Sequence, residues 1–224
     1  MKLLSIESDA KTVKGSKFGY LTGIQYLKPS FKVCPHATKG CMAACLNTAG
    51  RGAMGNVQDS RHNKTVLAMT EPEKHKAQLE KEIIALIKKA AKNGKKAAVR
   101  CNGTSDVNWE NRIGDLLQKY SKQVKFYDYT KDVQKALDNH KKPIHYTVSF
   151  HENMDIDTVK ELTSKGVNVA VVFRDSKLPK EWHGIEVIDG DVNDLRFLDK
   201  DGCIVGLKAK GKAKKDKSGF VVDA

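Results

Sequence analysis

The stretch Ile144–Phe150, IHYTVSF, alternates without a break. Ile144, Tyr146, Val148 and Phe150 fall on one face of a strand, and His145, Thr147 and Ser149 on the other. A parallel strand covered by helices on both sides reads as nearly continuous apolar sequence. Here one face is fit to meet helices, and the other must line an interior that holds water or ligand. Neighbouring segments repeat the alternation. Arg100 and Asn102 oppose Val99 and Cys101, and Gly206, Lys208 and Lys210 oppose Val205 and Leu207. The apolar face of each, including Val205 and Leu207, is expected against the helices.

Around this strand the chain alternates between two periods. Strands are expected at Tyr20–Leu27, Ala97–Asn102, Val124–Tyr129, Ile144–Phe150, Asn168–Phe173, Ile185–Asp189 and Cys203–Leu207, with a short last one at Gly219–Val222. Helices are expected at Asn56–Met69, then from Thr70-Glu-Pro-Glu73 to Asn93-Gly94, and at Glu110–Tyr120, Lys131–Asn139 and Ile156–Lys165. Val57, Ser60, Arg61 and Lys64 recur at helical spacing in the first. Leu79, Ile83, Leu86, Ile87 and Ala90 form the apolar face of the second. Thr70 and Thr130 are read as N-caps. Repeated strand–helix–strand units imply a mostly parallel sheet. No glycine-rich phosphate loop of the dinucleotide or P-loop type is present. The expected fold is therefore α/β: one domain over residues 1–224, a TIM-like (β/α) barrel, incomplete or irregular, with a polar lumen.

Chemistry in such barrels gathers at the carboxyl ends of the strands. Those ends carry Asn102-Gly-Thr-Ser-Asp106, Asp128-Tyr129, Ser149-Phe-His151, Arg174-Asp175, Asp189-Gly-Asp191 and Lys208–Gly211. Asn102, Asp106, Arg174 and Lys208 are the candidate substrate-binding residues. Ser105, Asp106 and Asn108 are also placed to cap the following helix.

Three of the five cysteines lie in Val33–Gly52, VCPHATKGCMAACLNTAGRG: Cys34, Cys41 and Cys45. Cys41 and Cys45, four apart, share a face if the segment is helical. Cys34 precedes them in a loop with Pro35 and Gly40. Three thiols so placed read as metal ligands rather than as small apolar core residues. The C-x6-C-x3-C spacing is a poor match to the paired cysteines of structural zinc and suits a larger [4Fe–4S] cluster. Cys101 and Cys203 share strand faces with Val99 and with Val205, so they are read as buried apolar residues. That leaves an iron free for a small ligand, or for His36 or His62. A disulfide framework is not expected, because the count is odd and no secretory signal precedes it.

The 224 residues, 40% hydrophobic, suffice for one substantial domain. No apolar run approaches a membrane span, so a cytoplasmic protein without a membrane partner is expected. The formal net charge of +13 points to an anionic partner, a small molecule or nucleic acid. The basic segment 208–217, KAKGKAKKDK, is the densest positive run, with few aromatics for base stacking.

The segments YLTGIQYL, VCPHATKGCMAACLNTAGRG, AVRCNGTSD and IVGLKAKGKAKKDKSGFVV resemble a family of phage and mobile-element proteins, the gene-product-eighty-eight-like family. The resemblance covers most of the chain. It implies an iron–sulphur TIM barrel with Cys34, Cys41 and Cys45 as cluster ligands. The family carries an aliphatic residue at the position of Cys101 and no fixed cysteine at that of Cys203, in line with the strand parity. The C-x3-C-x2-C loop of radical S-adenosylmethionine enzymes is absent. Three functions follow as expectations. The first is an iron–sulphur enzyme, with radical or Lewis-acid and redox chemistry on a small anionic substrate. The second is a nucleic-acid-binding phage protein with a structural cluster or zinc. The third is a redox sensor.

Overall fold

The computed structural model describes residues 1–8, 10–138 and 142–224. In chain order the elements are β1 (Leu4–Ile6), α1 (Ala10–Gly15), β2 (Tyr20–Gln25), α2 (Lys39–Ala43), α3 (Gly55–Thr70), α4 (Pro72–Lys92), β3 (Lys96–Arg100), α5 (Glu110–Tyr120), β4 (Val124–Thr130), α6 (Val133–Asp138), β5 (Ile144–Ser149), α7 (Ile156–Ser164), β6 (Val169–Phe173), β7 (Glu181–Trp182), β8 (Ile185–Asp189), β9 (Ile204–Lys208) and β10 (Val221–Val222). The expected helix Lys131–Asn139 starts two residues later, and Asn139 lies outside the described residues.

The strands build one sheet in the order β1-β2-β3-β4-β5-β6-β9-β8-β7, with β10 paired to β6 off that path. From β2 to β8 every neighbour is parallel, and the two borders, β1 and β7, are antiparallel. Each strand from β2 to β6 lies beside its predecessor, the progression of a singly wound (β/α) sheet. The α/β class is as expected; among the described residues no ladder joins β1 to β7, so the strands expected to form a barrel, incomplete or irregular, pair as an open sheet.

One face of the sheet carries the main core. Val99, Cys101, Phe126, Tyr146, Val148, Val169 and Val171 pack there against Leu79, Ile83 and Leu86 of α4, Leu116 and Leu117 of α5, and Val159 and Leu162 of α7. Gly23 lets α4 approach β2: a Cβ there would lie 3.2 Å from Leu86. Burying these side chains stabilises the fold by about 1.5–3 kcal/mol for each large aliphatic residue.

The opposite face is not a simple water-filled lumen. Residues 193–198 lie across it. Leu195 and Phe197 pack with Tyr20, Ala98 and Tyr127. Asp194 accepts hydrogen bonds from Arg100 Nη1 at 3.0 Å and from the Tyr127 hydroxyl at 3.3 Å. This cover reverses the expected orientation of β9. Ile204, not Val205, joins the helix-side core. A Cβ on Gly206 would strike Val187 and Leu178, which pack against that same core. Val205 and Leu207 instead crowd Gly190 beside Arg196. An apolar face suits the inner side here because Gly190 and the buried Arg196 pack over it and water does not reach Val205.

Helix ends correct two further expectations, the Thr70 cap and the Thr130 cap: at α6 it is Asp132 Oδ1 that accepts the Lys135 N–H, at 2.9 Å. Thr70 ends α3, where its hydroxyl bonds back to the Val66 carbonyl at 2.8 Å. Glu71 takes the cap position of α4, and Pro72 opens that helix, where a missing N–H costs nothing. Gly94 and Gly166 follow α4 and α7 with φ of 63° and 80°, left-handed conformations that glycine adopts without strain. Among the described residues no helix is long and apolar enough to cross a membrane.

Candidate metal centre

The cysteine loop is a chain of short, side-chain-fastened turns. Thr38 caps α2 by accepting the Cys41 N–H at 3.1 Å. α2 stops at Ala43, and Cys45 caps the next 3₁₀ turn, its Sγ accepting the Asn47 N–H. Cys41 and Cys45 therefore do not share a helix face, as their spacing predicts, because the helix ends before the second is reached. Glu152 clamps α2 from outside. Its Oε1 accepts the Gly40 N–H at 2.8 Å, and its Oε2 accepts the Thr38 hydroxyl at 2.7 Å. Burial opposes ionisation of Glu152, but these donors outweigh it and hold its carboxyl below the usual glutamate range. A side chain on Gly40 would displace Ser218 and the Glu152 carboxylate that clamps the helix.

All three cysteines line one cavity of about 230 Å³ at the carboxyl ends of β3, β4, β5 and β9. Burial pushes the Cys34 thiol up to about 11, and the neighbouring Cys45, Asp106 and Cys41 add to that rise. Burial also raises Cys45, with Cys41 adding to it and Lys131 and Arg61 opposing. The thiols are thus near enough to feel one another. Among the described residues, no three His, Cys, Asp or Glu side chains are grouped closely enough to hold a single metal ion. All five cysteines are free thiols. Cys101 is 1% exposed within the helix-side core, as the parity of β3 requires, and Cys203 is equally buried. His36 pairs with Asp132 at 3.5 Å.

Asn102, Asp106 and Lys208 also line the cavity. The first two are tied up structurally. Asn102 Oδ1 accepts from Ser105 Oγ, the Val107 N–H and Trp109 Nε1, knotting the loop after β3. Asp106 does not cap α5, where Asn108 accepts the Asn111 N–H. Instead Asp106 accepts from Thr130 Oγ1, the Lys131 N–H and Lys135 Nζ at 2.8–3.2 Å, and its own N–H bonds the Val33 carbonyl. It thereby joins the end of β4 to the base of the cysteine loop. Lys208 donates its N–H to Asp191, which also pairs with Lys210 at 2.6 Å.

Arg174 is not in the wall. It pairs with Asp223 at 2.7 Å and bonds the carbonyls of Lys214 and Val221, fastening the C-terminal segment to β6. The basic segment 208–217 is likewise docked. Ala209 and Ala213 are buried with Ala44 and Val221, and only its lysine side chains project.

Sequence reasoning missed a charge cluster in the cavity wall. Arg100 lies 3.0 Å from Asp194 and 3.9 Å from Asp128, and it stacks on Tyr129 with 4.5 Å to the ring centroid. Burial pushes Asp128 up to about 7, against the pull of Arg100 and of the hydrogen bond from the Asn102 N–H. The polar parity of Arg100 and Tyr129 hinted at it. The partner Asp194 lies ninety-four residues from Arg100 and carried no signal.

The fold and site define a mixed α/β protein in which a three-cysteine loop overhangs the carboxyl ends of a largely parallel sheet. The chain belongs to the family described as gene product 88, whose model matches residues 2–224. No curated protein and no solved structure matches it.

Proposed function

We propose that the protein is a phage-type iron–sulphur protein built on an incomplete (β/α) barrel. In this reading Cys34, Cys41 and Cys45 hold a [4Fe–4S] cluster, and the cavity beside them receives a small anionic substrate. One observation carries the reading: three thiols, none in a disulfide, line a single cavity at the end of the sheet where (β/α) proteins place their chemistry. Among the described residues they form no single-ion group, and a [4Fe–4S] cluster is a larger object whose thiolate ligands stand further apart. Bound there, such a cluster supplies a Lewis-acidic iron without a cysteine ligand and a route for single electrons.

The chain's own residues do the rest. Buried thiols with raised pKa stay protonated until a metal displaces the proton, so loading releases protons. Lys131, Lys208 and Lys210 line the cavity and draw an anion towards it. Asn102 and Asp106 hold the loops that form its walls.

Protein purified without oxygen is expected to be brown, with about four irons per chain. Cys41→Ala should lose both colour and iron, whereas Cys101→Ala should keep them. In the reduced protein, a small anion should alter the electron paramagnetic resonance signal. Colourless protein holding one tightly bound zinc would overturn the reading in favour of a structural metal. Loss of iron in Cys101→Ala would show that the ligand set is wrong.

A further inference from the structure

A second cleft, of about 1080 Å³, opens beside the thiol cavity and shares Leu46, Arg100, Gly103, Thr104, Asp194 and Lys210 with its wall. One face of α3 forms its far side: Val57, Ser60, Arg61 and Lys64, at successive helical spacing. Arg61 and Lys64 are only 9% and 6% exposed. Cations are seldom buried so deeply unless paired. Arg61 gives one hydrogen bond to Asn47 and stacks on Tyr26 at 5.0 Å, while its buried Nε has no partner. The carboxylate that Lys64 feels is Glu82, whose oxygens already accept the Leu3 and Leu4 N–H groups and Gln78 Nε2. The acidic side chains in the cleft wall are committed elsewhere. Asp194 holds Arg100 and Glu7 pairs with Lys89.

Two recessed cations one helical turn apart, with Ser60 beside them in the cleft wall, form a receptor for a dianion. A guanidinium and an ammonium together match its charge, and a guanidinium fork fits phosphate oxygens. We propose that this cleft binds the phosphoryl group of a small phosphomonoester through Arg61 and Lys64, with the rest of the molecule reaching along the shared wall towards the three cysteines. A nucleic-acid backbone is disfavoured as occupant, because the two charges lie below the surface, whereas duplex binding uses exposed ones. The inference rests on the reading above only in calling this molecule the substrate. The phosphate site stands on its own geometry.

The test uses the full chain with its thiols free of metal, so cluster loading does not enter. Calorimetric titration with ribose 5-phosphate should show saturable one-to-one binding, and ribose should show none. Arg61→Gln and Lys64→Met should each weaken binding by about tenfold or more, the loss expected of a charge-assisted contact, while Lys217→Met should not. The wild-type chain offers a second readout that survives any misfolding of the variants: inorganic phosphate should protect Lys64 from reductive methylation. Absence of both protection and binding in the wild type would overturn the proposal. So would tight binding of a short oligonucleotide with none of ribose 5-phosphate. Iron content of anaerobically prepared protein reads the cluster separately, so the two ideas can fail independently.

Discussion

At the scale of single residues, the buried trio Arg100, Asp128 and Asp194 behaves as one guanidinium facing two carboxyls. Asp194 holds the short contact, and Asp128, at 3.9 Å, is the group that keeps a proton. Its pKa rises from 3.8 in the unfolded chain to about 7 when folded, chiefly through burial. A folded value above the unfolded one means this group's stabilisation is complete below about pH 4 and fades as pH climbs through about 7. The expected outcome is a ¹³C carboxyl titration of Asp128 with its midpoint near neutrality. In Asp128→Asn, unfolding measured between those limits should lose the matching slope. A normal aspartate midpoint would refute it. Asp128 also marks what single residues failed to announce: it shares strand parity with the helix-side Val124 and Phe126, so alternation alone places a carboxylate among apolar neighbours. Its raised pKa follows from burial, which Arg100 at 3.9 Å only partly opposes.

At the scale of elements, α2 is five residues long and too short to persist alone. Glu152, from the loop after β5, makes it hold. Its carboxyl is kept below the usual range, so its contribution is present at neutral pH and disappears as pH falls through that lowered value. Glu152→Gln is expected to destabilise the protein by about 1–2 kcal/mol at pH 7 and hardly at all in acid, because an amide cannot accept both donors. Urea midpoints at the two pH values check this, and an equal loss at both would exclude the clamp. Elements also show where periodicity was enough. The strand Ile144–Ser149 and helix α4 lie where alternation and helical spacing put them, because both bury one face against a large core. It misplaced β9, whose Val205 and Leu207 turn inward at Gly190, beside Arg196 of the covering segment. A rule about polar interiors cannot foresee a cover supplied by another segment. The i, i+4 reading of Cys41 and Cys45 failed for a local reason, since α2 ends between them.

At the scale of the whole molecule, the C-terminal residues act as a strap across the site. β10 pairs with β6, Val221 is buried with Ala44 beside the cysteine loop, and Arg174 secures the strap through Asp223. Removing residues 219–224 should therefore cost about 2–4 kcal/mol, from lost burial and ladder bonds. It should also leave the cysteines more open to thiol reagents. Equal reactivity and an unchanged urea midpoint would show the strap to be ornamental. Arg174 thus has work in the fold, and its position at a strand end, which reads as substrate-binding, reflects where residues 214–223 are fastened to β6. The sheet's outline carries a separate implication. Its borders, β1 and β7, are three and two residues long. Unpaired backbone on a sheet's rim is what recruits foreign strands into aggregates, and rims this brief offer little to recruit. Joined to a surplus of positive charge, they favour a protein that stays dispersed even when crowded with copies of itself.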